Sequence, residues 1–126
     1  MKLDISELKF NEQGLIPAII QCFKTKKVLT LCYMNKEALE KTFESGRVYL
    51  FRRSKNRLMF KGETSGHIQI LKEVSIDCEG KSILLKIDQK VAACHVGYYT
   101  CYFRSFNEDG SLRISEKRVF DPEEVY

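Results

Sequence analysis

The chain has 126 residues, 44% hydrophobic and 30% charged, with a formal net charge of +4. That length and balance fit one globular domain with a single hydrophobic core, and they exclude a largely disordered chain. The 17 acidic residues are spread among 21 basic ones, too dilute a positive field for a dedicated nucleic-acid surface, though an anionic small molecule remains a fitting partner.

The opening segment MKLDISELKF carries no apolar stretch of signal-peptide length. No run elsewhere approaches the ~18 apolar residues of a membrane span. Both point to a cytoplasmic protein that does not engage a membrane, and in that compartment thiols stay reduced. Five cysteines, an odd number, therefore do not read as a disulfide framework.

In chain order, LIPAIIQCF reads as a buried strand, followed by a polar connection and a second strand, VLTLCYM. Asn35 then looks like a helix N-cap, with Glu37 in the first turn and Gly46 as the stop. RVYLFR and LMFK read as strands about a Ser54-Lys55-Asn56 turn, and the loop Gly62-Glu63-Thr64-Ser65-Gly66 follows. IQILKEVSIDC and SILLKID read as two strands about a Glu79-Gly80 turn, and GYYTCYF as a last strand. The expected architecture is α+β: a mostly β protein, antiparallel or mixed, with one clear helix. A domain over residues 1–106 is expected to carry a polar tail, 107–126, either an extra hairpin or loose.

Cys22 and Cys32 lie inside apolar strand runs and read as core residues. Cys78, Cys94 and Cys101 cluster late in the chain, and three thiolates plus a water would match the ligand count of a catalytic zinc. The seven-residue step from Cys94 to Cys101 is wider than common zinc-finger spacing, so the residues alone leave metal ligation and plain core sulfur both open. Asp77 and Glu79 flank Cys78; strand alternation would turn both carboxylates to one face, as oxygen ligands for a hard ion or as a solvated turn. His95 reads either as a satisfied core histidine or as a proton carrier beside a metal. The basic cluster Arg52, Arg53, Lys55 and Arg57, with Lys61 leading into the glycine-bounded loop, reads as solvated surface or as a phosphate cradle.

Taken together, GLIPAIIQ, YMNKEAL, GRVYLFRRSKNRLMFKGETSG, DCEG and ACHVGYYTCYF resemble the phosphoribosyl-AMP cyclohydrolase family over about residues 10 to 105. The resemblance implies a zinc-dependent hydrolase that opens the adenine ring of phosphoribosyl-AMP at the N1–C6 bond, in histidine biosynthesis. It also implies an intertwined homodimer with active sites at the interface. Cys94 and Cys101 of one subunit would share zinc with Cys78 from the other, and His95 would shuttle the proton. Arg53, Lys61, Thr64, Ser65 and Gly66 would hold the phosphorylated substrate, and Asp77 and Glu79 would contribute to a magnesium site.

The chain departs from the family pattern at Lys81, where a third aspartate is usual. A protonated lysine cannot ligate magnesium, so either two carboxylates and substrate phosphates hold the ion, or the ammonium replaces part of its charge. Gln21-Cys22, Met59, Val91-Ala92 and Val96 are softer departures. They keep two alternatives open: a relative hydrolysing another purine-like or amidine ring, and a non-catalytic zinc-stabilised nucleotide-binding dimer.

Overall fold

A computed structural model gives the fold and describes residues 3–90, 94 and 96–125. Its centre is a four-stranded mixed sheet built from β1 (Ile16–Cys22), β2 (Val28–Met34), β5 (Gln69–Ile76) and β6 (Ile83–Gln89). The strands lie in the order β2-β1-β6-β5. β1 pairs antiparallel with β2 and parallel with β6, and β5 returns antiparallel to β6. Alternation along β1 sends Ile16, Ala18, Ile20 and Cys22 into the core, where they meet Met34, Ile83, Leu85 and Ile87.

The helix α1 (Lys36–Ser45) and the hairpin of β3 (Tyr49–Arg52) with β4 (Arg57–Phe60) make the remaining central elements. The caps expected for α1 are present. The Asn35 side chain accepts from Ala38 N–H at 2.8 Å, and Gly46 closes the helix in the left-handed region with φ of 73°. Thr42, fully buried, ties the helix to the hairpin: its hydroxyl donates to the Ala38 carbonyl at 2.8 Å and accepts from Tyr49 N–H at 2.9 Å.

GYYTCYF is not a strand. Tyr98 makes an isolated bridge to Arg118, and regular pairing resumes only at β7 (Arg104–Phe106) with β8 (Leu112–Ile114). The aromatic residues suit a strand, but the Thr100 hydroxyl donates to the Val28 and Leu29 carbonyls and diverts the chain from ladder geometry. Of the two readings of the tail, the hairpin is the one observed, and a short helix, α2 (Pro122–Val125), follows it. No helix among the described residues is long and apolar enough to cross a membrane.

Thr42→Val keeps the side-chain shape and removes the hydroxyl, leaving the Tyr49 N–H without its buried acceptor. The expected loss is about 1–3 kcal/mol, read as a lower urea midpoint. An unchanged midpoint would mean that water reaches the freed group.

Candidate functional site

The two late cysteines meet at one end of the central sheet. β2 is an edge strand, and the Cys101 N–H donates to the Leu29 carbonyl at 2.6 Å. Gly97 N–H donates to the Cys94 carbonyl at 3.2 Å, and Cys94 N–H donates to the Tyr98 carbonyl at 3.2 Å. These bonds bring the Cys94 thiol close enough to act on the ionisation of Cys101. Burial pushes the Cys101 thiol up, the Thr30 hydroxyl works against it, and the neighbouring Cys94 adds to the rise.

Lys61 is close enough to lower the thiol pKa of both Cys101 and Cys32 and that of the His67 imidazole. It leads into the turn that Gly62 shapes. Gly62 has φ of 96°, and a Cβ there would lie 2.9 Å from the His67 carbonyl carbon, so this backbone approach requires glycine. Gly66 N–H donates to the Gly62 carbonyl at 2.8 Å, and the Ser65 hydroxyl accepts from His67 N–H at 3.1 Å. Thr64 and Gly66 are exposed at the rim and Ser65 is half-buried. His67, which no sequence motif marks, is buried and held toward its neutral form by desolvation and by Lys61. The only local signal for it was its position directly after the loop.

Arg53 sits apart from this loop, on the β3–β4 turn, with its guanidinium 3.8 Å from the Tyr33 ring centroid. It borders an open groove of about 280 Å³ with Gln13, Leu15, Phe51 and Asn56. Cys22 and Cys32 behave as core sulfur. Cys22 is buried, and burial pushes the Cys32 thiol up to about 12.

Cys78 is at the other end of the sheet. It lies exposed in the turn between β5 and β6, where Asp77 N–H donates to the Ser82 carbonyl. Cys101 docks at the start of β2, beside the end of β1, which runs in register with the end of β6 at Cys22 and Ile87. The seven residues of β6 thus separate the two positions by about 20 Å. Among the described residues, no three His, Cys, Asp or Glu side chains of one chain are grouped to hold a metal ion. His95, Val91 and Ala92 lie outside the described residues.

The Asp77–Glu79 turn differs from the alternation expected for it. β5 ends at Ile76, and Asp77, Cys78 and Glu79 are all exposed. The Asp77 carboxylate organises the turn, accepting from the Glu79 and Lys81 N–H groups at 3.0 and 2.9 Å and from the Ser82 hydroxyl at 2.7 Å. Glu79 Oε2 is 3.2 Å from Lys81 Nζ.

The fold and this constellation define a small α+β domain with a thiol pair beside a cationic, glycine-cornered loop, suited to an anionic small molecule. The family model described as phosphoribosyl-AMP cyclohydrolase matches residues 30–103. A phosphoribosyl-AMP cyclohydrolase of Chlorobium phaeovibrioides is 47% identical over 122 residues, covering 97% of this chain and 89% of its own. One of Pelotomaculum thermopropionicum is 47% identical over 126 residues, covering 100% of this chain and 98% of its own. The histidine biosynthesis bifunctional protein HisIE of Thermoanaerobacter pseudethanolicus is 46% identical over 122 residues, which span 97% of this chain and 56% of that longer protein. The chain belongs to the phosphoribosyl-AMP cyclohydrolase family, a family of hydrolases.

The Ser82 hydroxyl, followed by the backbone N–H of Lys81, holds the Asp77 carboxyl below its ordinary value of 3.8. Its stabilising contribution is thus present above pH 3.8 and lost as pH falls through the depressed native value. Asp77→Asn is expected to lower the urea midpoint at neutral pH, with the gap to wild type closing below that range. A gap that stays constant into acid would contradict the assignment.

Proposed function

We propose that this protein hydrolyses the N1–C6 bond of the adenine ring of phosphoribosyl-AMP, as a step of histidine biosynthesis. The observation that carries the reading is the thiol pair Cys94 and Cys101 beside Lys61, in a chain matched over nearly its whole length by proteins of that name.

Two adjacent thiols fit two of the three protein donors of a catalytic zinc, and a third thiol from a second copy would complete them. Cys78 is free and exposed, at the sheet pole remote from its own chain's pair, which suits donation to a neighbouring chain. In the proposed homodimer Cys94 and Cys101 hold zinc together with the partner subunit's Cys78. When bound there, the ion supplies Lewis-acid activation of water for attack on the ring carbon.

The outer face of the central sheet offers apolar area for such a dimer. Ile19 stands in register with Leu31 and Leu84, and Ile19 and Leu31 are 37% and 47% exposed.

The chain's own groups divide the remaining work. Lys61 places positive charge beside the thiol pair, while the Thr64 and Ser65 hydroxyls and the Gly66 backbone border the loop that would receive a phosphate. Arg53, on the β3–β4 turn, would take the second phosphate. His95, next to Cys94 in the chain, would carry the proton between the attacking water and the departing ring nitrogen.

For magnesium, the turn geometry supports charge replacement. Asp77 is engaged by three donors, and Lys81 neutralises Glu79. The Lys81 ammonium would then do electrostatically what an ion does with a third carboxylate.

Purified protein is expected to open the ring of phosphoribosyl-AMP and to bind about one zinc per chain. Cys101→Ala and His95→Ala should each lose at least about 100-fold in kcat. Zinc bound without turnover would sink the catalytic reading and leave a binding module. Lys81→Asp should create a magnesium requirement; activity indifferent to magnesium in that variant would refute charge replacement.

A further inference from the structure

Residues 115–120 cross the cysteine-bearing segment as a strap. Ser115 N–H donates to the Phe103 carbonyl at 2.8 Å, and Val119 and Phe120 N–H groups both point to the Gly97 carbonyl, at 2.7 and 3.4 Å. Tyr98 and Arg118 form an antiparallel bridge between these contacts. The approach is backbone on backbone. Gly97 has φ of 102°, and a Cβ there would lie 2.5 Å from the Phe120 carbonyl oxygen, so the contact exists only because position 97 has no side chain. Gly97 N–H also donates to the Cys94 carbonyl, and any shift of the strap is passed to Cys94.

The same strap reaches the other half of the site. The Phe120 ring meets His67 edge-on, with centroids 4.7 Å apart and planes at 78°. His67 directly follows Gly66, and its backbone N–H is held by the Ser65 hydroxyl. One residue therefore touches Gly97 through its backbone and, through its ring, His67, the residue that directly follows the Lys61–Gly66 loop. The ion pair between Lys27 and Glu116 anchors the strap to the connection between β1 and β2.

We propose that Phe120 is a positioning residue, fixing the spacing between Cys94 and the loop ending at His67 during ring hydrolysis. This rests on the function proposed above. A spacing error of about 1 Å between the group that binds and the group that reacts is enough to slow an oriented reaction strongly.

The test uses full-length zinc-loaded protein with Phe120→Ala and Phe120→Tyr. Phe120→Ala is expected to lose about tenfold in kcat/KM at a temperature where it stays folded, and Phe120→Tyr, which keeps the ring edge, to retain wild-type turnover. Alkylation of Cys94 by iodoacetamide, followed peptide by peptide by mass spectrometry, is expected to rise about tenfold in Phe120→Ala, with core Cys22 unchanged. Wild-type kcat/KM together with unchanged Cys94 alkylation would overturn the proposal, whatever happened to the melting temperature. Should Phe120→Ala fail to fold, Phe120→Leu decides by the same two readouts. If the wild-type protein does not open phosphoribosyl-AMP, the function proposed above fails by itself, and the alkylation contrast still decides the role of Phe120.

Discussion

The arrangement depends on how the free edge of β2 is closed. An edge strand presents unpaired carbonyls, and here the Thr100 hydroxyl and the Cys101 N–H take those of Val28 and Leu29. A ladder strand would have spread residues 97–103 along the edge and turned alternate side chains away. The irregular docking instead folds Cys94 back toward Cys101 and holds both near Lys61 and the glycine-cornered loop. The same contact fixes which pole of the sheet carries the thiol pair.

That choice of pole has a consequence for the third thiol. Because β1 and β6 run parallel, the turn preceding β6 and the segment docked at the start of β2 lie at opposite ends. Cys78 stands in that preceding turn, with its backbone rigidified by the Asp77 carboxylate. One chain alone therefore does not bring its three thiols to one point, which is the separation that the proposed dimer would bridge. The outer face bearing Ile19, Leu31 and Leu84 would give a second chain apolar area to bury.

The parts of the fold governed by local chemistry were legible in the sequence. β1 and β2 declared themselves by apolar β-branched runs, α1 by Asn35 and Gly46 at its ends, and the β3–β4 hairpin by a polar turn between periodic segments. GYYTCYF misled because aromatic strand-formers dominate it, while the Thr100 hydroxyl that breaks the ladder acts only through a tertiary partner. Asp77 read as one of a pair of outward carboxylates because nothing nearby in sequence marks the Ser82 hydroxyl as its partner. His67 and Phe120 were invisible as a pair, since their contact spans the domain and neither carries a motif of its own. The cysteine triad was legible only as a resemblance; its division between two poles came from the strand order.

Subunit mixing tests the shared-site account most directly. Cys78→Ala and Cys101→Ala proteins, each inactive alone, are unfolded together, refolded with zinc and assayed on phosphoribosyl-AMP. Random pairing makes half of the dimers mixed, each with one intact site, so activity should recover to about one quarter of wild type. No recovery, although mixed dimers are seen by native mass spectrometry, would contradict a site built from two chains.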